Sequence, residues 1–201
     1  MAKSPRAHGF SLLEIVVVVG IIGVISAISA PMFNNAIASF RLSGDARAVS
    51  NATAVAKMRA ASDFSRVRIY VDLSARTHEM QVFDKTSAIC CWVAQGGATS
   101  LSTGVSFGYS PVLTPPSSTQ GTIGQAPLCR DDTDVDVPNT GCIMFNSRGV
   151  PVGNSPSFAP TNADAIYVMD SQAVYGVTVA ATGLLRMWRT ARAATPVWVR
   201  N

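Results

Sequence analysis

The run from Ile15 to Phe40 holds 26 residues without one charged side chain, and its densest part, Ile15 to Phe33, is 19 residues dominated by Ile, Val, Ala and Gly. A helix of ~20 apolar residues, rising ~1.5 Å per residue, crosses the hydrocarbon core of a bilayer. Lys3 and Arg6 precede the run, so the positive-inside rule puts the first residues in the cytoplasm and the rest outside. A cleaved secretory signal and a buried core helix are the alternatives. Against cleavage at its far end, Ile28 stands two before Ala30, and Pro31 follows directly. A core helix would be an odd companion for a basic leader. The segment reads as a membrane-inserted helix.

The rest of the composition fits one folded domain beside that appendage. Of the 201 residues, 48% are hydrophobic and 14% charged, against a usual charged share of about a quarter. That balance excludes a disordered polyelectrolyte. A net charge of +4 is too small a bias to argue for nucleic acid by itself, and four cysteines are too few for a disulfide-built mini-scaffold.

Glu14 stands at the mouth of the apolar run, where an acid costs ~2.5–3.5 kcal/mol on insertion scales and calls for a cationic partner. Before it the chain reads Gly9-Phe10-Ser11-Leu12-Leu13-Glu14. Basic leader, glycine, hydrophobic residue, glutamate and apolar helix, in that order, closely resemble the type III signal of type IV pilins and type II secretion pseudopilins. The resemblance implies that a prepilin peptidase cuts between Gly9 and Phe10 on the cytoplasmic side and methylates the Phe10 amine. The apolar helix would then survive, and Glu14 of one subunit would pair with the Phe10 amine of a neighbour during filament assembly. Such a pair lowers the cost of burying both charges. The resemblance further implies a bacterial inner-membrane protein with a single span and a periplasmic head. Its partners would be other pilins or pseudopilins, the peptidase and an inner-membrane assembly platform.

Helical spacing continues past the apolar run. Phe33, Ile37, Phe40, Gly44, Ala48, Ala52 and Val55 recur every three or four residues and predict the apolar stripe, with Arg41, Asp45, Lys57 and Arg59 on the polar surface. Pro31 lies inside the predicted helix and should kink or locally melt it. The helix is expected to end near Ser62-Asp63. A helix from Phe10 to there would be ~80 Å long, natural for a filament subunit.

Beyond Asp63 the period changes to two. Val67–Asp72 and His78–Asp84 read as a hairpin, Ile89–Ala94 and Val105–Tyr109 as further strands, and Pro111–Pro138 as a long loop. Strands resume at Cys142–Phe145, Ala165–Met169, Val174–Ala180 and Leu184–Trp188. The expected fold is α+β, a long N-terminal helix packed on a mostly antiparallel β head. Its parts are a leader (1–9), a transmembrane and filament-core helix (10–33), an amphipathic continuation (34–63) and the head (64–201). Ile143-Met-Phe-Asn-Ser-Arg-Gly149, a loop, a strand near 165–170, then Ala173 to Arg186 turning at Thr182-Gly183, are similar to GspH/FimT-like minor pseudopilins.

Catalysis has little to stand on. The histidines are His8, in the leader, and His78, which reads as an exposed strand residue, and no phosphate loop, dinucleotide fingerprint or zincin motif occurs. No enzyme activity and no cofactor are expected. Outside the cytoplasm disulfides form. Cys129 with Cys142 would close the acidic loop, whereas Cys90 and Cys91 would point to opposite faces of a strand. Asp131, Asp132, Asp134 and Asp136 bring hard oxygen ligands that suit calcium. The run lacks the glycine and distal glutamate of an EF-hand, and reads first as a solvated acidic loop. After Asp170 there is no acid, while Arg186, Arg189, Arg192 and Arg200 stand near Trp188 and Trp198. Arginines grip phosphates and indoles stack on bases, so Arg186, Trp188, Arg189 and Arg192 form a candidate DNA-binding tail, as in some FimT-like pilins. The Gly-Arg start of that region is not matched, because Leu184 and Leu185 intervene. A solvated edge strand with Trp188 packed inward is the plainer reading.

Overall fold

The structure, a computed structural model, describes residues 11–86, 91–154 and 157–201. The chain divides into two units, 1–38 and 39–201. Helix α1 (Leu12–Ser62) supplies all the described secondary structure of the first unit and opens the second. It runs through Pro31 as one helix. Its far end is closed by Phe64 in the left-handed region, φ 47°, with the Ser65 amide donating to the Ala60 carbonyl at 3.3 Å. That is the hydrogen bond of a helix C-cap usually built on glycine.

Within the second unit α1 buries Leu42, Ala46, Val49, Thr53, Ala56 and Ala60, each at most 1% exposed. This corrects the expected stripe. Phe40 is 76% and Val55 45% exposed, because Leu42 and its followers lie about half a turn further round the helix. In an alanine-rich helix several stripes look alike, and the small face wins here because it lets the backbone come close to the sheets. Thr53 costs little on that face, since its hydroxyl donates to the Val49 carbonyl at 2.8 Å. Two expected surface charges are connectors instead. Asp45 accepts from the Ser102 amide and hydroxyl at 2.8 and 3.0 Å, and the Lys57 ammonium donates to the Gly183 carbonyl at 2.9 Å.

Among the described residues every strand pairing is antiparallel. The first sheet joins β1 (Val67–Asp72), β2 (Thr77–Phe83), β3 (Trp92–Ser100), β7 (Thr140–Phe145) and β8 (Pro151–Val152), in the order β3-β2-β1-β7-β8. The second joins β4 (Ser106–Phe107), β9 (Asp164–Met169), β10 (Ala173–Val179), β11 (Leu185–Ala191) and β12 (Val199–Arg200), in the order β12-β11-β10-β9-β4. Val67, Ile69, Val71, Ile143 and Phe145 of one sheet and Ile166, Val168, Tyr175 and Val177 of the other share a single core with α1.

Further segments lie on the outer faces. The expected loop at 111–138 lays Val112 and Ile123 on Tyr167, Ala165 and Val174 of the second sheet, forming a separate small core. It ends in a short hairpin, β5 (Cys129–Arg130) and β6 (Asp136–Val137). A disulfide joins Cys129 to Cys142 of β7. Cys90 lies outside the described residues, and Cys91 is itself disulfide-bonded.

Candidate functional site

The N-terminal segment is defined by what it omits. From Ser11 to Phe40, Glu14 is the one charged residue, and it sits in the first turn of α1. The apolar stretch is long enough to cross a membrane, and none of it is buried. Ile15, Val18, Ile22, Ile25 and Ile28 are all about half exposed or more. So continuous an apolar surface is stable only against lipid or other apolar helices. Gly9 and Phe10 lie outside the described residues.

In the second unit, each carboxylate of the acidic segment is engaged by the protein. Asp131 Oδ1 accepts from the amides of Thr133 and Val135 at 2.8 and 2.9 Å and from the Thr133 hydroxyl at 2.8 Å. Those bonds hold its carboxyl below the usual range. Asp132 accepts from the Cys91 and Trp92 amides, both at 3.2 Å. Asp134 and Asp136 pair with Arg130 at 3.1 and 2.9 Å. The four do not converge on one point, and among the described residues no three His, Cys, Asp or Glu do.

The basic tail is likewise divided. Along β11 side chains alternate, so Arg186 shares a face with Trp188 while Arg189 lies on the other, its guanidinium 6.0 Å from the Tyr175 ring. Trp188 is 9% exposed and donates to the Thr178 hydroxyl at 3.0 Å, so its ring is not offered to a base. Trp198 packs on Tyr167 and donates to the Thr114 carbonyl at 2.9 Å. Arg192 donates to the Ser110 carbonyl at 2.8 Å. The arginines are not gathered into one strip.

His78 corrects its expectation too. It is 5% exposed, its Nδ1 has no hydrogen-bond partner among the described residues, and burial lowers its pKa while Asp45 opposes that. Sequence reasoning also passed over Arg66, Arg68 and Trp92. They meet on the outer face of the first sheet, where Arg68 lies 4.0 Å from the Trp92 ring and Arg66 4.0 Å from the Phe83 ring. The available signal was the hairpin itself: alternation from Val67 puts Arg66 and Arg68 opposite the core residues, and pairing brings Phe83 beside them.

Comparison with known proteins decides the N-terminal segment. Residues 4–30 match the prokaryotic N-terminal methylation motif. The chain thus carries the N-terminal signature of pilin-type proteins, and its apolar helix is the matching kind of segment. The matched residues include Glu14 and most of the apolar run. Over about three quarters of the chain, two structures of the minor pseudopilin EpsH from the type II secretion system of Vibrio cholerae are similar. One is 11% identical and covers 73% of this chain and 95% of that one, with a TM-score of 0.45. The other is 12% identical and covers 78% and 95%, also with a TM-score of 0.45. No curated protein sequence matches the chain.

Proposed function

We propose that the chain is a non-catalytic filament subunit, a minor pilin or pseudopilin of a type IV pilus or type II secretion pseudopilus. The observation that carries this reading is the methylation motif at 4–30 overlapping an uncovered apolar run, Ile15 to Phe40, with Glu14 at its mouth. Prepilin peptidase cuts between Gly9 and Phe10 and methylates Phe10. The helix first holds the subunit in the inner membrane with the head in the periplasm, and an assembly platform then draws it into the filament. There the Phe10 amine of one subunit meets Glu14 of its neighbour, a pairing that neutralises two charges otherwise stranded in an apolar core. Loss of Lys3 and Arg6 with the leader leaves a side-chain charge of +2.

The test is the N-terminus of protein extracted from membranes of cells that contain prepilin peptidase. The expected product begins at Phe10 and carries the mass of one added methyl group. A product that keeps Met1 overturns the reading.

A further inference from the structure

The outer face of the first sheet holds a cation, Arg66, that meets neither a hydrogen-bond acceptor nor a carboxylate among the described residues. β1 sends Val67, Ile69 and Val71 into the core and Arg68 and Tyr70 the other way. Across the register Arg68 faces Gln81 on β2 and Met144 on β7, and Phe83 faces Trp92 on β3. Beside them the acidic segment and Phe158 complete a cleft of about 260 Å³.

The charges around this cleft differ in occupancy. Its aspartates take donors from the protein, as described above. Arg68 donates to the Gln81 side-chain oxygen at 2.7 Å and to the Arg130 carbonyl at 2.6 Å, and its pKa is lowered by burial to about 10 although Asp132 pulls the other way. Arg66 is different. Its guanidinium carbon lies 4.0 Å from the Phe83 ring centre and 4.2 Å from that of Phe158, so two aromatic rings lie against it. Its guanidinium has no acceptor and no carboxylate among the described residues, and burial lowers its pKa with no acid opposing it. Phe158 holds its ring there with φ at 43°, a conformation that residues with a Cβ seldom adopt. Stacking occupies the faces of a guanidinium but leaves its in-plane fork of N–H donors, the part that matches a carboxylate.

We infer that this cleft binds an Asp or Glu side chain presented by an extended segment of a partner protein. Arg66 takes the carboxylate, and Trp92 and Met144 take the neighbouring apolar group. The volume lies below the ~300–1,000 Å³ of pockets for drug-sized ligands, a size for one or two residues. Asp131, Asp132 and Asp134 line the same cleft as Arg66, Arg68 and Arg130, so three acids balance three bases and no surplus of positive charge is left for a dianion, which favours carboxylate over phosphate.

The test uses the full chain, ¹⁵N-labelled in detergent micelles, titrated with acetyl-Glu-Leu-amide, acetyl-Gln-Leu-amide or inorganic phosphate. The Glu peptide is expected to shift the Arg66 Nε–H and Trp92 indole signals saturably. The Gln peptide should bind at least about tenfold more weakly, the loss expected when a charge-assisted bond is removed. Arg66→Lys keeps the charge without the fork and should weaken the Glu peptide about as much, with the rest of the spectrum unmoved. No saturable shift, equal binding of the Gln peptide, phosphate binding as tightly, or binding unchanged in Arg66→Lys each overturns the proposal. None of these outcomes bears on cleavage at Gly9-Phe10, so this site and the filament reading fail separately.

Discussion

Replacing Gly176 by alanine tests how tightly the outer core of the second sheet is closed. Gly176 lies mid-strand in β10 opposite Tyr167 of β9, and a Cβ there would stand 2.6 Å from Tyr167 Cε1 and 2.9 Å from Cδ1. Carbon atoms pack best at ~3.5–4.0 Å, so the ring must retreat by about 1 Å. It has nowhere to go. Tyr167 is fully buried, its hydroxyl is 2.7 Å from Gln120 Oε1, and the rings of Tyr109 and Trp198 lie 5.6 and 6.0 Å away. Overpacking of this kind costs ~1–3 kcal/mol, and pulling the phenol off Gln120 adds ~1 kcal/mol or more. Alanine's better strand propensity returns ~0.5–1 kcal/mol. The net expectation is a loss of about 2–3 kcal/mol, or about 5–10 °C in Tm for a domain of this size. Urea unfolding of the detergent-solubilised chain, followed by tryptophan fluorescence, measures it. Tyr167→Leu removes the obstructing ring, so Gly176→Ala added to it should cost at least about 2 kcal/mol less than in the native background. A Gly176→Ala protein within ~0.5 kcal/mol of the parent, or costs that simply add, would refute the close-contact argument.

Two further perturbations test how α1 and the core are tied together. Gly183 has φ +73°, and a Cβ on it would lie 2.5 Å from the Gly149 carbonyl and 3.0 Å from Lys57 Cε. Gly183→Ala should therefore cost ~3 kcal/mol or more in urea unfolding, while Lys57→Met, which loses only the bond to Gly183, costs ~1 kcal/mol; similar costs for both would contradict this. Burial lowers the pKa of His78, so below its ordinary value of about 6.5 the unfolded chain takes up a proton that the folded chain resists. Stability is then full above that pH and falls on acidification by up to ~1.4 kcal/mol per pH unit. Unfolding between about pH 5.5 and 8 should show the slope, and His78→Gln should remove it.

Legibility followed the strength of the local pattern. The β1–β2 hairpin could be read because Val67–Asp72 alternates cleanly, and the end of α1 because period and composition change together there. The core face of α1 could not, because alanines fall on every side and the choice is made by how closely the sheets approach. Of the expected strand Ile89–Ala94, residues 89 and 90 lie outside the described residues, and β3 instead runs on to Ser100. Gly96 and Gly97 look like a break in the sequence, yet the ladder absorbs them in a register shift between His78 and Met80, with Gly96 at φ +83°. The site at Arg66 depends on Phe83 and Phe158, whose approach is a tertiary event that no local window contains.

The sequence drew attention to charge where charge is dense, in the aspartates of 131–136 and the arginines beyond Asp170. The structure gives a different criterion. Density places opposite charges within reach of each other and of backbone donors, so Asp134 and Asp136 are held by Arg130 and Asp132 by two amides. Among the described residues Arg66 has no such relief, and the two aromatic rings against it do not neutralise it. The two lids of the head show the same contrast. The one over the second sheet is apolar and closes on Tyr167. The one over the first sheet is charged and disulfide-held, and it leaves the cleft at Arg66 open. For recognition by the head, the charge left without a partner therefore matters more than the charge that is most abundant.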